Sequence, residues 1–480
     1  MKQTNKQFKN IHFIGVGGIG MSGLAQFFKW MGYNVSGSDR ALDDDRPENK
    51  ILFETLRNQG INLYPQDGSF IKNEKTELLV YSTAIEDDNP DFAAGKHLPG
   101  WHRADALSFL AESMENRLSI AITGTCGKTT VSGWLGETLL NLGLDPVVLS
   151  GGMVNRFINE ENLGNFRKGN GNYFVYEADE SDKSLVAFYP DYSIILNIGT
   201  DHYPEAELVE MFEQFLKNTK KGAAIEKKVY ALLDPKSYEH LEIKLFSTTS
   251  KEVDWALNDY SLVEGIPKIS CTNSERVMNL NLPMPGVHNA ENALSMIAVI
   301  DLLNIKFNAG EVAKAIENFN GVHRRFEYIG KTKNGTKLYD DYSHNVEKIV
   351  SAISTVQQIT EGRVFAVFQP HGFGPLRFMR KDLFPALEKT LRKDDKFIFM
   401  PAYYAGGTSS FKPKSSEVCE EYSTKTTTKD RYIDFDSRKD ATNYLDLTTN
   451  KNDIIIIMGA RDESLALWAK EITQNRSITN

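Results

Sequence analysis

One stretch limits the fold of this chain more than any other. Leu118–Ile122 is an unbroken β-forming run, the segment from Thr123 to Lys128 is a turn with two glycines, and Thr129–Leu142 has helical spacing. A strand that ends in a glycine turn and opens directly into a helix is half of a crossover, and a crossover needs a parallel neighbour. The same alternation recurs. Ile11–Val16 precedes a helical Met21–Met31, and Tyr33–Ser38, Leu78–Tyr81, Tyr173–Tyr176 and Tyr192–Asn197 read as strands. Val364–Phe368, Lys396–Met400 and Asp453–Met458 follow. This predicts an α/β protein of parallel sheets and crossover helices. A chain of 480 residues exceeds one ordinary core. Three blocks are expected: 1–116, 117–322 and 323–480. Lys412–Asp430, rich in Lys, Ser, Thr and Glu, reads as a surface excursion.

A formal net charge of −9 disfavours a nucleic-acid or anionic-membrane partner. Cys126, Cys271 and Cys419 are far apart and odd in number, which predicts a reducing, cytoplasmic setting without a disulfide framework. Lys2, Lys6 and Lys9 before Ile11–Met31 imitate a leader, but Lys29 and a run of glycines break the apolar stretch. No apolar run reaches the roughly 18–20 residues that span a bilayer, so membrane insertion is not expected.

Five groups of residues carry chemistry. Gly15, Gly17 and Gly20, with Gly18 and Ser22 beside them, form a G-x-G-x-x-G between strand and helix, and Asp39 ends the next strand. Such a loop serves a plain turn, NAD or another nucleotide diphosphate. Gly124, Thr125, Gly127, Lys128, Thr129 and Thr130 form a phosphate-type loop, shortened because Ile122 stands where the strict pattern has glycine. There backbone N–H groups would cradle phosphate, Lys128 would reach the β/γ oxygens and Thr129 would hold Mg²⁺. The acidic run Glu177–Asp182 and the pair Asp201–His202 follow strands, and read either as a solvated turn or as a seat for phosphate-bound Mg²⁺. Asn292 in His288–Asn292 suits an adenine edge, and Arg325 and Asp341 lie in polar clusters that suit phosphate or surface ion pairs.

In this order the motifs resemble the Mur ligase family of bacterial cell-wall synthesis, over nearly the whole chain. Ile11–Arg40, Glu177–Asp182 and Asp340–Tyr342 are similar to the members that add the first amino acid, L-alanine. The resemblance implies a Rossmann-like UDP-binding domain, a central P-loop ATPase domain and a C-terminal Rossmann-like domain that receives the amino acid and closes over ATP. It implies ATP and Mg²⁺, with Lys128, Glu177 and His202 catalytic and with Thr129, Glu177 and His202 on the metal. It puts Asn292, Arg325 and Asp341 on the nucleotide and the Gly15–Gly20 loop on UDP-N-acetylmuramate. The implied reaction joins a small amino acid to the lactyl carboxylate through an acyl phosphate, in a monomer or weak homodimer. His344 and Arg377 are the candidates for the amino acid. Three segments depart from the alanine-adding pattern: Cys126 replaces His, Ser343–Val346 replaces Gly-His-His-Pro, and Gly372–Arg377 has fewer arginines. A recycling ligase for a tripeptide is the alternative within the family, and an NAD-dependent oxidoreductase the alternative outside it.

Overall fold

The computed structural model describes residues 8–43, 46–73, 75–114, 116–180, 183–199, 203–403 and 411–474. It contains three sheets. The first has the order β3-β2-β1-β4-β5 and is wholly parallel, from β1 (Asn10–Ile14), β2 (Asn34–Ser38), β3 (Asn62–Tyr64), β4 (Leu78–Tyr81) and β5 (Gly100–His102). The chain winds outward from β1 and then returns to its other side at β4. The carboxyl ends of β1 and β4 therefore flank a switch point, where open α/β sheets bind ligands.

The second sheet begins with β6 (Leu118–Thr123), β7 (Val147–Leu149), β8 (Phe166–Arg167), β9 (Tyr173–Glu177) and β10 (Tyr192–Ile195). It continues through β11 (Gly222–Glu226), β12 (Glu242–Ser247), β13 (Trp255–Val263), β14 (Ile266–Thr272) and β15 (Val277–Asn281). Its order, β15-β14-β13-β12-β11-β10-β6-β9-β7-β8, puts β6 between β10 and β9, both parallel to it. The third sheet, β16-β17-β21-β18-β19-β20, uses β16 (Glu327–Lys331), β17 (Lys337–Asp341), β18 (Val364–Gln369), β19 (Lys396–Phe399), β20 (Tyr432–Asp434) and β21 (Ile454–Gly459). Only β16 runs antiparallel there. Every residue of β18 and β21 is buried, the pattern of a parallel strand covered on both faces.

The chain divides into two compact units. The first holds 1–261, 268–283 and 287–323, and the second holds 262–267, 284–286 and 324–480. Within the first, one apolar core runs under both sheets. Helix Ile19–Trp30 joins them: Phe27 stacks on Phe166 with centroids 5.0 Å apart and meets Phe174 edge-on at 5.2 Å. Asn165 donates to Ile19 O at 2.6 Å and to Ser22 Oγ at 2.9 Å, and accepts from Gln26 at 2.9 Å. The second unit buries apolar side chains on both faces of its sheet.

The sequence expectation fails at Lys412–Asp430. Ser415–Lys425 is a helix whose Val418, Cys419 and Tyr422 enter the core, and Tyr422 Oη donates to Arg380 O. Those apolar positions have helical spacing, which the polar composition around them obscures. Among the described residues no helix is long and apolar enough to cross a membrane.

Candidate active site

The turn after β6 is tightly walled. A Cβ on Gly124 (φ +133°) would lie 3.0 Å from Asn197 N, and one on Gly127 (φ +91°) would lie 2.9 Å from Asn292 Oδ1. Both glycines use the left-handed side of the backbone map, which only glycine enters readily. Asn197, just beyond β10, clamps the turn: its Oδ1 accepts from Cys126 N–H at 2.8 Å and its Nδ2 donates to Cys126 C=O at 3.0 Å. Thr125 Oγ1 accepts from Gly199 N–H at 2.8 Å. Sequence reading took Asn197 only as the last residue of the expected strand Tyr192–Asn197, and its one signal was that place at a strand's carboxyl end. The helix Lys128–Asn141 then starts at Gly127 with no side-chain cap, and Thr129 and Thr130 lie in its first turn. Uncapped N–H groups and the helix dipole there favour an anion.

Lys128 lies inside a carboxylate cluster. Its Nζ is 2.7 Å from Glu180 Oε2 and 3.8 Å from Asp179 Oδ1, and donates to Gly124 O at 2.8 Å. Burial pulls the ammonium pKa down, but Glu180, Asp179 and Glu177 outweigh it, so the pKa is raised and the charge is kept. Arg103 holds Asp179 at 2.7 Å. Glu177 ends β9 and accepts from Gly151 N–H at 3.0 Å. One cleft is lined by Gly20, Arg103, Ser150, Gly151, Glu177 and Asp179, so the first helix after the N-terminal glycine loop and the acidic turn share it. Asp201 and His202, and the end of the acidic run at Ser181–Asp182, lie outside the described residues. Among the described residues no three His, Cys, Asp or Glu side chains form a metal cluster. Asn292 lies beside Gly127, and its neighbour Glu291 is pushed up to about 7 by burial and then by Glu226, against a hydrogen bond from Thr248.

In the first sheet, Gly15 (φ +76°) and Val16 donate to Ser38 O at 2.8 and 3.0 Å. Asp39 braces this loop: Oδ2 accepts from Gly17 N–H and Oδ1 from Ala41 N–H, each at 2.9 Å. Gly18 caps the helix without a side-chain bond. Ser22 is buried and faces Asn165 and Ile19 O. The turn after β4, Ser82–Ile85, also borders the switch point, with Ile85 Cδ1 3.1 Å from where a Gly15 Cβ would stand. Sequence reading passed over it, because a short polar turn carries no motif.

In the second unit the two adjacent arginines separate. Arg324 is buried, 3.1 Å from Asp340, and donates to Gly459 O at 2.6 Å and Asp462 O at 2.9 Å. Arg325 instead lies over the Tyr342 ring at 4.9 Å. Asp341 accepts from Phe326 N–H at 2.7 Å and Ser343 N–H at 2.9 Å. His344 Nδ1 donates to Tyr342 O at 2.9 Å, and its ring meets His371 edge-on at 5.2 Å. Arg377 lies on helix Phe373–Thr390, and its guanidinium donates twice to Lys412 O, at 3.2 and 2.6 Å. His371 and Arg461, beyond the ends of β18 and β21, complete this edge.

Three family models match the chain: "Mur ligase family, catalytic domain" over residues 10–117, "Mur ligase middle domain" over 122–300, and "Mur ligase, glutamate ligase domain" over 324–461. A UDP-N-acetylmuramate–L-alanine ligase of Acetivibrio thermocellus is 32% identical over 469 residues, covering 95% of this chain and 94% of the relative. The chain belongs to the Mur ligase family. Among solved structures, the UDP-N-acetylmuramate–alanine ligase of Thermotoga maritima superposes with a TM-score of 0.77 at 26% identity, over 96% of this chain and 98% of that one. A murein peptide ligase of Psychrobacter arcticus shares the fold at a TM-score of 0.66 and 20% identity, over 97% and 98% of the two chains. The three-domain α/β architecture is therefore that of the Mur ligases, with mainly parallel sheets to which β8, β15 and β16 add antiparallel strands.

Proposed function

We propose that this Mur ligase joins L-alanine to the lactyl carboxylate of UDP-N-acetylmuramate at the expense of ATP, in the cytoplasm, as a step of peptidoglycan precursor synthesis. The observation that carries this reading is the shared cleft, where Gly20 of the first glycine loop and Glu177 beside the phosphate loop line one space. A sugar nucleotide and a nucleoside triphosphate need such neighbouring seats if a carboxylate is to meet a γ-phosphate. The full-length similarity to alanine-adding ligases supports the choice of substrates. Domain limits of 1–116, 117–322 and 323–480 accompany the proposal.

ATP would supply the phosphoryl group that turns a poor acyl donor, a carboxylate, into an acyl phosphate open to attack by an amine. The uncapped start of Lys128–Asn141 and the two left-handed glycines fit its phosphates. Lys128 would exchange Glu180 for phosphate oxygens and hold them in place. Thr129, Glu177 and His202 have the hydroxyl, carboxylate and imidazole that would hold Mg²⁺, which would neutralise charge on those oxygens. Asn292, Arg325 and Asp341 would position the nucleotide. The Gly15–Gly20 loop would take the UDP pyrophosphate on helix N–H groups, with Asp39 keeping the loop's shape. His344 and Arg377 are the sequence's candidates for the amino acid.

The test is phosphate release from ATP with UDP-N-acetylmuramate and a panel of amino acids and tripeptides. Release dependent on L-alanine is expected. Release with a tripeptide alone would make the protein a recycling ligase, and none with any amine would overturn the reading. Calorimetry with UDP-N-acetylmuramate and NAD decides the glycine loop: tight NAD binding without sugar-nucleotide binding would favour an oxidoreductase.

A further inference from the structure

We propose that Arg461, together with His344 and His371, seats the α-carboxylate of the incoming amino acid, and that Arg377 does not. This rests on the ligase reading above and names a residue for it. The three side chains come from the carboxyl ends of strands that are neighbours in the third sheet, in the order β17-β21-β18. His344 follows β17, Arg461 follows β21 and His371 follows β18. Strand ends where a parallel sheet changes direction are where this class of fold places ligands.

Arg461 is an unusual residue for its position. Its φ is +67°, a left-handed conformation that costs any residue with a Cβ and costs glycine little. Its N–H donates to Tyr342 Oη at 3.2 Å, which fixes the backbone. Its side chain is exposed, and among the described residues its guanidinium makes no hydrogen bond or ion pair. The acids that follow it in sequence are engaged elsewhere. Asp462 lies 2.8 Å from Arg438 and accepts from Gln369 at 2.6 Å, and Glu463 lies 3.4 Å from Arg324. An arginine fork is held where a smaller residue would fit the backbone better, with no counter-ion among the described residues.

Among the described residues, the buried Nδ1 of His371 has no hydrogen-bond partner. Burial, then His344, then Arg461 drive the His371 pKa down to about 4, so the positive charge of Arg461 is felt at that ring. Directly after His371, helix Phe373–Thr390 starts at Gly372 with no side-chain cap. A guanidinium, an unpartnered imidazole nitrogen and an uncapped helix start thus lie along one sheet edge, a set that suits an anion with more than one acceptor oxygen. A carboxylate fits this description because a guanidinium grips it through two parallel hydrogen bonds. Arg377, the candidate from sequence, already donates two hydrogen bonds to Lys412 O on the exposed side of its helix.

The test compares Arg461→Gly, Arg461→Lys and Arg377→Ala in steady-state phosphate release with ATP, UDP-N-acetylmuramate and L-alanine. Glycine is chosen because it relieves the left-handed backbone, so Arg461→Gly should unfold no earlier than wild type. Its KM for L-alanine should rise about 10–150-fold, the usual effect of losing a charged hydrogen-bond partner, with the KM of ATP and of the sugar nucleotide within about twofold of wild type. Arg461→Lys should fall between, and Arg377→Ala should keep the wild-type KM for L-alanine. An unchanged L-alanine KM in Arg461→Gly, or an equal rise for all three substrates, would overturn the assignment while leaving the ligase reading intact. Absence of amine-dependent phosphate release in the wild type would overturn the ligase reading, and this assignment with it.

Discussion

The ammonium of Lys128 lies 2.7 Å from the carboxylate of Glu180, which is 1% exposed. A phosphate that enters the loop must therefore compete with a carboxylate already in place. Lys128→Ala should lower ATP turnover by about 10²–10³, the usual loss for a preorganised charge. It should leave UDP-N-acetylmuramate binding, measured by calorimetry, nearly unchanged, because Gly15–Gly20 belongs to another sheet. The substitution also strands a buried carboxylate, which costs about 3–5 kcal/mol. Adding Glu180→Gln should restore the melting temperature but not turnover. Recovery of turnover in the double variant would remove Lys128 from the chemistry.

Cys126 is half-buried within the phosphate loop, whereas Cys271 and Cys419 are buried and none is in a disulfide. Burial pushes both buried thiols up to about 12, with Asp434 adding to the effect at Cys419. Thiolate is the reactive form. A maleimide at neutral pH should therefore modify Cys126 alone in the native protein, and Mg-ATP should slow the reaction. Intact-mass spectrometry reads both. Labelling of Cys126 at the same rate with and without ATP would argue that nucleotide does not occupy this loop.

How much the sequence revealed followed from how local each signal was. The phosphate loop was legible because strand, glycines and lysine adjoin in the chain, and β6 and its helix appear within a residue or two of their expected limits. Asn197, the Ser82–Ile85 turn and Arg461 were not legible, since what marks them is a neighbour in space or a backbone angle. Arg324 and Arg325 look alike as a dipeptide, and only burial against Asp340 separates them. The helix at Ser415–Lys425 was hidden because its few apolar residues are outnumbered by Lys, Ser, Thr and Glu.

The separation of the two arginines makes opposite predictions for adjacent residues. Arg324 joins Asp340, Gly459 O and Asp462 O inside the second unit, so Arg324→Ala leaves a buried carboxylate unpaired and should cost about 3–5 kcal/mol. Arg325 stacks on Tyr342 and is half-buried, so Arg325→Ala should unfold near the wild-type temperature and raise the KM of ATP. Differential scanning calorimetry and phosphate-release kinetics on both variants check this. A stable Arg324→Ala with weakened ATP use would exchange the two roles.

His12 offers a test of stability against pH. Its ring is fully buried in β1, stacked on Phe70 with centroids 3.8 Å apart, and its nitrogens meet Ser36 Oγ at 2.9 Å and Ser38 Oγ at 3.2 Å. Burial drives its pKa from 6.5 down to about 3. Between those values the unfolded chain binds a proton that the folded chain refuses, so stability is full above pH 6.5 and falls as the pH drops towards 3. The slope from one such group is at most about 1.4 kcal/mol per pH unit. From pH 6.5 to 4.5 His12 should therefore remove on the order of 2–3 kcal/mol. His12→Asn keeps a polar group against the serines but cannot titrate. Asp91, which accepts a hydrogen bond from Ser38 and is raised by burial, titrates in both proteins and cancels in the comparison. Urea unfolding at the two pH values should show the wild type losing more stability than His12→Asn by that amount. Equal losses would mean that His12 takes up its proton without disturbing the first sheet.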